Sequence, residues 1–419
     1  MDGTRALVAA LLLCVAPIGG IAVAESPGDS SGVGVGGSPG AVAEPQRTTE
    51  DADGSMSILT VENTSEYLAP PPDGVDRTGS GTTGINVAAA VEADAGGLES
   101  AYVASTLERR YANADTTAER RAVVEDSADR LTRRVDELRT RERTAIRQYN
   151  EGTIETHELV RRLTVVSRAA EVTAGSLEWL ETTANDLGMD GQAERAATGR
   201  VRLLPFGGPV RSELAGVVAG DGSLHVYAET AGDGVVLAAV DPADDTYLRE
   251  AYDPSARDSG TPDQYGGSPL FALEQMERLY PWVTENDLGI SASPIGPVFD
   301  RVYRFSIPHP HGELETYLDS GSEAVTVEFQ RNDVDALPTE TRRNTENDLR
   351  LVANATRGGG PVEIAVLDAT TGEPVDADLQ LNGDPVGSTG GDRLWTVAPR
   401  GPVSVNATHA DETVSLEMP

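Results

Sequence analysis

The sequence predicts an α+β multidomain protein: a helical hairpin resembling a coiled coil, then mixed α/β hairpin units, then a C-terminal β-sandwich. Three observations predict it. Apolar residues recur on alternating steps of four and three between Val124 and Leu187, which puts one apolar seam on a helix. Beyond Arg200 the texture changes to short runs of alternating strands. Residues 361–419 then read as strands and tight turns throughout.

The N-terminus has three parts. Met1 to Arg5 carries one positive charge, Ala6 to Ala16 is apolar, and Ala22-Val23-Ala24 supplies small residues after Pro17, Gly19 and Gly20. This layout predicts a Sec-type secretory signal over residues 1–24, cleaved after Ala24. An uncleaved N-terminal membrane anchor is the alternative, because Ala6 to Ala24 is just long enough to span. Cys14 is the single cysteine and lies inside the apolar run, so the exported chain would hold no thiol and no disulfide. Residues 25–54 are rich in Gly, Ser, Pro and acid and read as a disordered linker. Residues 55–97 read as an irregular segment with one short strand at Ser57 to Val61.

The helical region spans 98–190. Val124, Ala128, Leu131, Val135, Leu138, Ala145 and Tyr149 form one seam, with Glu142 its one polar member. After Asn150-Glu151-Gly152 the rhythm resumes from Leu159 through Leu163, Val166, Ala170, Thr173, Leu177, Leu180 and Ala184 to Leu187. The break predicts an antiparallel hairpin, roughly 118–149 against 153–188.

Residues 200–352 read as mixed α+β with possible tandem units. Val226-Tyr227, Asp241 and Glu250 recur as Val302-Tyr303, Asp319 and Glu328, with the same spacing from Asp to Glu in both copies. Asn185-Asp186-Leu187-Gly188 recurs as Asn286-Asp287-Leu288-Gly289, each after a helix, with Gly where a helix end wants a left-handed residue. The second unit, through Val302-Tyr303-Arg304-Phe305, Gly312 and Tyr317-Leu318-Asp319, resembles the PepSY domain, and that resemblance implies a modulator of an exported protease. Ser320-Gly321-Ser322 stands where that family has Thr-Gly.

At the C-terminus, Val362 to Asp368 is a strand, followed by Asp368, Thr371, Gly372, Pro374 and Val375. This spacing resembles the carboxypeptidase regulatory-like, or transthyretin-like, β-sandwich over 361–419. The resemblance implies a structural or adhesive module. The last strand runs to Met418-Pro419, which predicts no C-terminal membrane anchor. The order of parts resembles exported haloarchaeal proteins of unknown function.

Charge sets the environment. The chain of 419 residues carries 68 Asp and Glu against 33 basic residues, a formal net charge of -35, and contains no lysine. A dispersed excess of this size repels itself in dilute buffer. Near molar salt the Debye length falls to about 3 Å and the repulsion is screened. The composition therefore predicts a halophile's protein. The absence of a basic stripe argues against nucleic acid as a partner.

No GxSxG, HExxH, P-loop or dinucleotide fingerprint is present, and no cofactor is implied. In Pro308-His309-Pro310-His311, two histidines share a strand face, so His309 and His311 are candidate metal ligands, though no third ligand stands at a telling spacing. Acidic runs at Asp241 to Asp245 and Asp376 to Asp378 lack the EF-hand spacing and read as solvated surface. Asn63, Asn354 and Asn406 head glycosylation sequons. The reading is a secreted or cell-surface structural or binding protein, not an enzyme, with an envelope protein or glycan as partner. The alternatives are an exported hydrolase using carboxylates or the two histidines, and the PepSY-like modulator.

Overall fold

The computed structural model describes residues 56–59, 65–84, 102, 105–219, 223–356 and 358–418. The expected signal and linker, and Asn63, lie outside the described residues. After a helical stretch at 105–112, α1 (Thr117–Asn150) starts from a capping box: Thr116 accepts from the Glu119 N–H while Glu119 reaches back to the Thr116 N–H. It turns through Gly152 into α2 (Thr156–Asp186), so the two long helices run antiparallel as their apolar steps predict. Every apolar seam residue of α1 is buried, and so are those of α2 from Leu159 to Ala184.

The hairpin is not a two-stranded seam. A third helix, α3 (Asp190–Leu203), packs Ala193, Ala196 and Leu203 into the same core, beside Leu131, Val135, Leu138, Leu177 and Leu180. The chain turns from α2 into α3 at Gly188, whose φ is +62°. The Gly188 and Met189 N–H groups return to the Asn185 and Ala184 carbonyls in a Schellman closure. The look-alike Asn286 to Gly289 behaves differently: Asn286 itself caps its helix, and Gly289 sits three residues beyond the cap in a turn closed by Asp287. The shared tetrapeptide marks two helix ends and no repeat.

An eight-stranded antiparallel sheet forms the centre. Its strands are β3 (Arg77–Gly84), β4 (Ser223–Ala231), β5 (Gly234–Asp241), β6 (Thr246–Tyr252), β7 (Ser291–Ile295), β8 (Val302–His309), β9 (Gly312–Asp319) and β10 (Val325–Asp333), in the order β3-β4-β5-β6-β10-β9-β8-β7. The meander β4-β5-β6 thus meets a second meander run in reverse, β10-β9-β8. One spacing relates Ala231 to His309, Gly234 to Gly312 and Asp241 to Asp319. The Val-Tyr pair breaks that spacing by two residues, so Val226-Tyr227 and Val302-Tyr303 are not equivalent.

Both faces of the sheet are covered. On one, α4 (Pro209–Ala219) and the turn end of the helical hairpin pack Ile146, Tyr149, Leu159, Leu163 and Leu214 onto Val226, Leu237, Ala239 and Leu248. On the other, α5 (Pro269–Leu279) and α6 (Pro281–Glu285) pack Ala272, Met276 and Val283 onto Phe305, Ile307 and Leu314. Residues 56–59 and 65–70, with the paired strands β1 (Ser57–Ile58) and β2 (Leu68–Ala69), form a strap on that second face and bury Met56, Tyr67 and Leu68.

Two four-stranded sheets form the C-terminal sandwich. One contains β11 (Thr339–Glu346), β12 (Leu349–Thr356), β13 (Gly360–Asp368) and β16 (Arg393–Ala398). The other contains β14 (Asp378–Leu381), β15 (Asp384–Ser388), β17 (Val403–His409) and β18 (Glu412–Met418). The sandwich therefore begins at Thr339, not at residue 361. β11 reads Thr-Glu-Thr-Arg-Arg-Asn-Thr-Glu and is an almost fully exposed edge strand, so no apolar alternation announces it. Trp395 does not enter the sandwich core. Instead β16 alternates: Leu394 and Ala398 face that core, while Trp395 and Val397 face Tyr227, Ala238, Val240 and Tyr247 of the central sheet.

Candidate functional site

Two clusters of buried charged groups lie on opposite faces of the central sheet. On the helix-covered face, Glu142, the polar member of the α1 seam, lies 2.9 Å from Arg211, and the Arg211 Nε lies 2.7 Å from Glu250 of β6. Glu250 also accepts the Val210 and Arg211 N–H groups. It caps the first turn of α4, where free amides and the positive end of the helix dipole favour a carboxylate. Its approach requires Gly208, since an added Cβ there would fall 1.9 Å from a Glu250 carboxylate oxygen. Two acids thus share one arginine out of water. Burial pushes both carboxyls above the usual range, and Arg211 pulls them partly back.

On the opposite face, the Arg249 Nη1 donates to Glu328 at 2.7 Å. Glu328 accepts further bonds from the Leu68 N–H, the Tyr280 hydroxyl and Gln330. Arg400, from the loop between β16 and β17, pairs with Glu229 of β4 and stands 3.7 Å from Glu66 of the strap. This cluster joins the strap, the sheet and the sandwich.

A cavity of about 580 Å³ opens between α1, α3 and the helix-facing side of the sheet. Val135, Val201, Val302 and Val327 line it, with Tyr252 and the exposed Phe299. Three of its four arginines are paired with acids, Arg195 with Asp129, Arg202 with Asp136 and Arg257 with Asp300 and Asp319, and Arg139 also lines it. Charge balance of this kind makes an amphipathic cleft, not an anion trap.

The expected site residues are placed as follows. His309 and His311 sit at the β8–β9 hairpin, with ring centroids 6.0 Å apart and planes at 86°. His311 stacks on Trp282 at 4.8 Å, and His309 meets the same indole edge-on. Burial, helped by His311, pushes His309 down to about 4, so it stays neutral near pH 7. No group of three His, Cys, Asp or Glu able to hold a metal occurs among the described residues. The pair packs an aromatic hairpin tip. Asp244 and Asp245 are exposed on the β5–β6 turn. Asn354 lies mid-strand, its side chain bonded to Thr341 and Glu363, and Asn406 accepts from Ser415. Glu142, Arg211 and Glu66 were not singled out as site residues. Only Glu142 left a trace, as the polar member of an apolar seam.

A domain of unknown function, DUF7096, matches residues 1–223. The chain belongs to this family. A second family of unknown function, DUF7094, matches 226–338, and an archaeal fibronectin-III type-like domain matches 340–416. The boundary between the first two falls within β4, so the DUF7096 part supplies β3 and the helical layer to a sheet otherwise built by DUF7094. The third match coincides with β11 to β18 and supports an archaeal protein with a C-terminal β-sandwich. Neither the PepSY nor the carboxypeptidase-like resemblance is supported; the sandwich is of fibronectin-III type. No curated protein and no solved structure matches the chain. No helix among the described residues is long and apolar enough to cross a membrane.

Proposed function

We propose that this member of the DUF7096 family is a structural or binding protein of a halophile's cell exterior, with an envelope protein or glycan as its partner. One observation carries the reading: two clusters of buried charge join the layers of the fold. Glu142, Arg211 and Glu250 join the helical hairpin and α4 to the sheet, and Glu66, Glu229 and Arg400 join the strap and the sandwich to its other face. Side chains so committed stiffen a body and leave its outer surface to make contacts. The signal-like N-terminus, the sequons at Asn63, Asn354 and Asn406, and the acidic composition support placement outside a salt-loving cell. The amphipathic cleft beside Phe299 and the exposed β11 edge are the surfaces such a role would use. The experiment is fractionation of host cells in molar salt, with crosslinking of the tagged full chain. Recovery in the envelope or medium, crosslinked to one surface protein or glycan, is the expected result. Retention in the cytosol would overturn the reading.

A further inference from the structure

We propose that the cleft between α1, α3 and the sheet is a binding site for a long-chain carboxylate, with its hydrocarbon tail on the sheet and its head group on Arg139. This goes beyond the envelope role proposed above: it concerns the interior of the cleft and holds wherever the protein resides. The floor comes from strand register. Tyr252 of β6, Val327 of β10 and Tyr317 of β9 stand opposite one another across three paired strands. Phe329, two residues along β10, shares their face and meets the Tyr317 ring edge-on at 5.8 Å. Val201 of α3 and Leu204 of the turn after it come down on this row. The space on either side of Leu204 is not filled by the helical layer. One side is the cavity of about 580 Å³, the other a second cavity of about 490 Å³, and Leu204 and Tyr317 line both. Each volume lies in the range of ligand sites, roughly 300–1,000 Å³. Two such spaces in line suit an extended tail better than a compact ring system.

Charge decides which end takes the head group. The arginines of the second cavity are paired, Arg168 with Glu171 and Arg200 with Glu181. In the first cavity Arg139 forms no ion pair with an acid among the described residues, because the acids near it on α1 are held elsewhere. Asp136 is held by Arg202, Glu137 by Arg134 and Glu142 by Arg211. The Arg139 side chain is half-buried and its guanidinium stands beside the Tyr252 hydroxyl, at the edge of the apolar row. Two acids also line this cavity, Asp300, which Arg257 holds, and Glu194. The pairs Arg195–Asp129 and Arg202–Asp136 set each residue of α3 beside the one 66 places earlier on α1. Glu194 is therefore level with Ala128, about 16 Å back along α1 from Arg139, and a head group on Arg139 is clear of it. A carboxylate there gains charge-assisted hydrogen bonds. A partly buried pair of this kind also persists in salt that screens exposed ones.

The test is equilibrium dialysis of radiolabelled dodecanoate against the purified full chain in molar potassium chloride, at about pH 8, where the probe is ionised. Saturable binding of one dodecanoate per chain is expected, weakened roughly tenfold for each two carbons removed from the tail. Arg139→Gln should weaken dodecanoate binding about tenfold or more and leave binding of the uncharged dodecanol unchanged. Thr198→Trp, which fills the first cavity from α3, should weaken both. Absence of saturable binding, or dodecanoate binding unchanged in either variant, would overturn the proposal. If a variant does not fold, photolabelling of the native chain with a diazirine-bearing dodecanoate decides. Label is expected on α3, β9 and β10, and label confined to other elements would overturn it.

Discussion

Glu250 and Glu328 stand on adjacent antiparallel strands yet point to opposite faces of one sheet. Glu250 pairs with Phe329, and Glu328 with Ala251. Each acid follows its Asp at the same distance in sequence, but the second meander carries a register shift between Val325 and Val327. One inserted residue reverses the side-chain alternation. The two copies of a single sequence feature therefore serve different layers: Glu250 binds the helical side through Arg211, and Glu328 binds the strap through Leu68.

Arg211 should be the least replaceable side chain in the helical layer. Arg211→Met leaves Glu142 and Glu250 buried without a cation, and the expected loss is about 3–5 kcal/mol. Glu142→Gln should cost far less, because it removes the surplus charge and keeps a hydrogen-bonding group. Both glutamates are held above the ordinary range by burial. Raising pH therefore erodes the native chain's stability, and Glu142→Gln should flatten part of that dependence. Chemical denaturation in molar salt at several pH values measures both effects.

Gly208→Ala should act on Glu250 from the other side. The new methyl would occupy the carboxylate's place, so the cap of α4 and the ion pair with Arg211 are lost together. A drop of about 2–4 kcal/mol is expected. Gly207→Ala next to it meets nothing closer than 3.7 Å and serves as the control; equal losses would contradict the capping role.

Trp395→Ala should loosen the sandwich from the sheet without melting the sandwich. The indole packs on Tyr227, Val240 and Tyr247, whereas Leu394 faces the sandwich core. For this partly buried tryptophan the cost should be about 2–3 kcal/mol, below the full value for a core site. Hydrogen exchange should speed up in β16 and β5 and stay unchanged at Ile364 and Val405.

Removing salt should destabilise the whole chain. With 68 acids against 33 basic residues, lowering salt to about 0.01 M stretches the Debye length to roughly 30 Å, and nearly every surface carboxylate then feels its neighbours. Circular dichroism in the far and near ultraviolet during dialysis from molar to low salt should show lost order, the β layers first. A fold unchanged throughout would reduce the acidic composition to a solubility device.

What could be read in the sequence follows from the range of the interactions. The hairpin α1–α2 was legible because its steps of four and three are local, and so was the turn at Asp368 to Val375, which closes on itself: Asp368 accepts the Thr370 and Thr371 N–H groups. The same turn chemistry serves several kinds of sandwich, which is why it pointed to the wrong family. β11 was missed because an exposed edge strand has no apolar alternation to show. The Glu66 cluster was invisible for a different reason. Its members come from the strap, β4, β6, β10 and the β16–β17 loop, and no local pattern tells that Glu66 is buried while most other acids are solvated.

The place of the helices in the chain has a consequence for assembly. β3 and β4 pair to their ends, Gly84 opposite Ser223, so the two strands are the arms of a hairpin whose turn has been replaced by the whole stretch 85–222. The entropy of closing a loop grows only with the logarithm of its length, and α1 to α3 shorten the effective loop by folding on local contacts first. The helical layer is thus an insertion that brings its own core to the sheet. A chain in which a short turn joins Gly84 to Ser223 keeps the strand order but uncovers Val226, Leu237, Ala239 and Leu248. Such a chain would aggregate through that bare face, while the excised helices, with their own packed seam, would stay folded in brine.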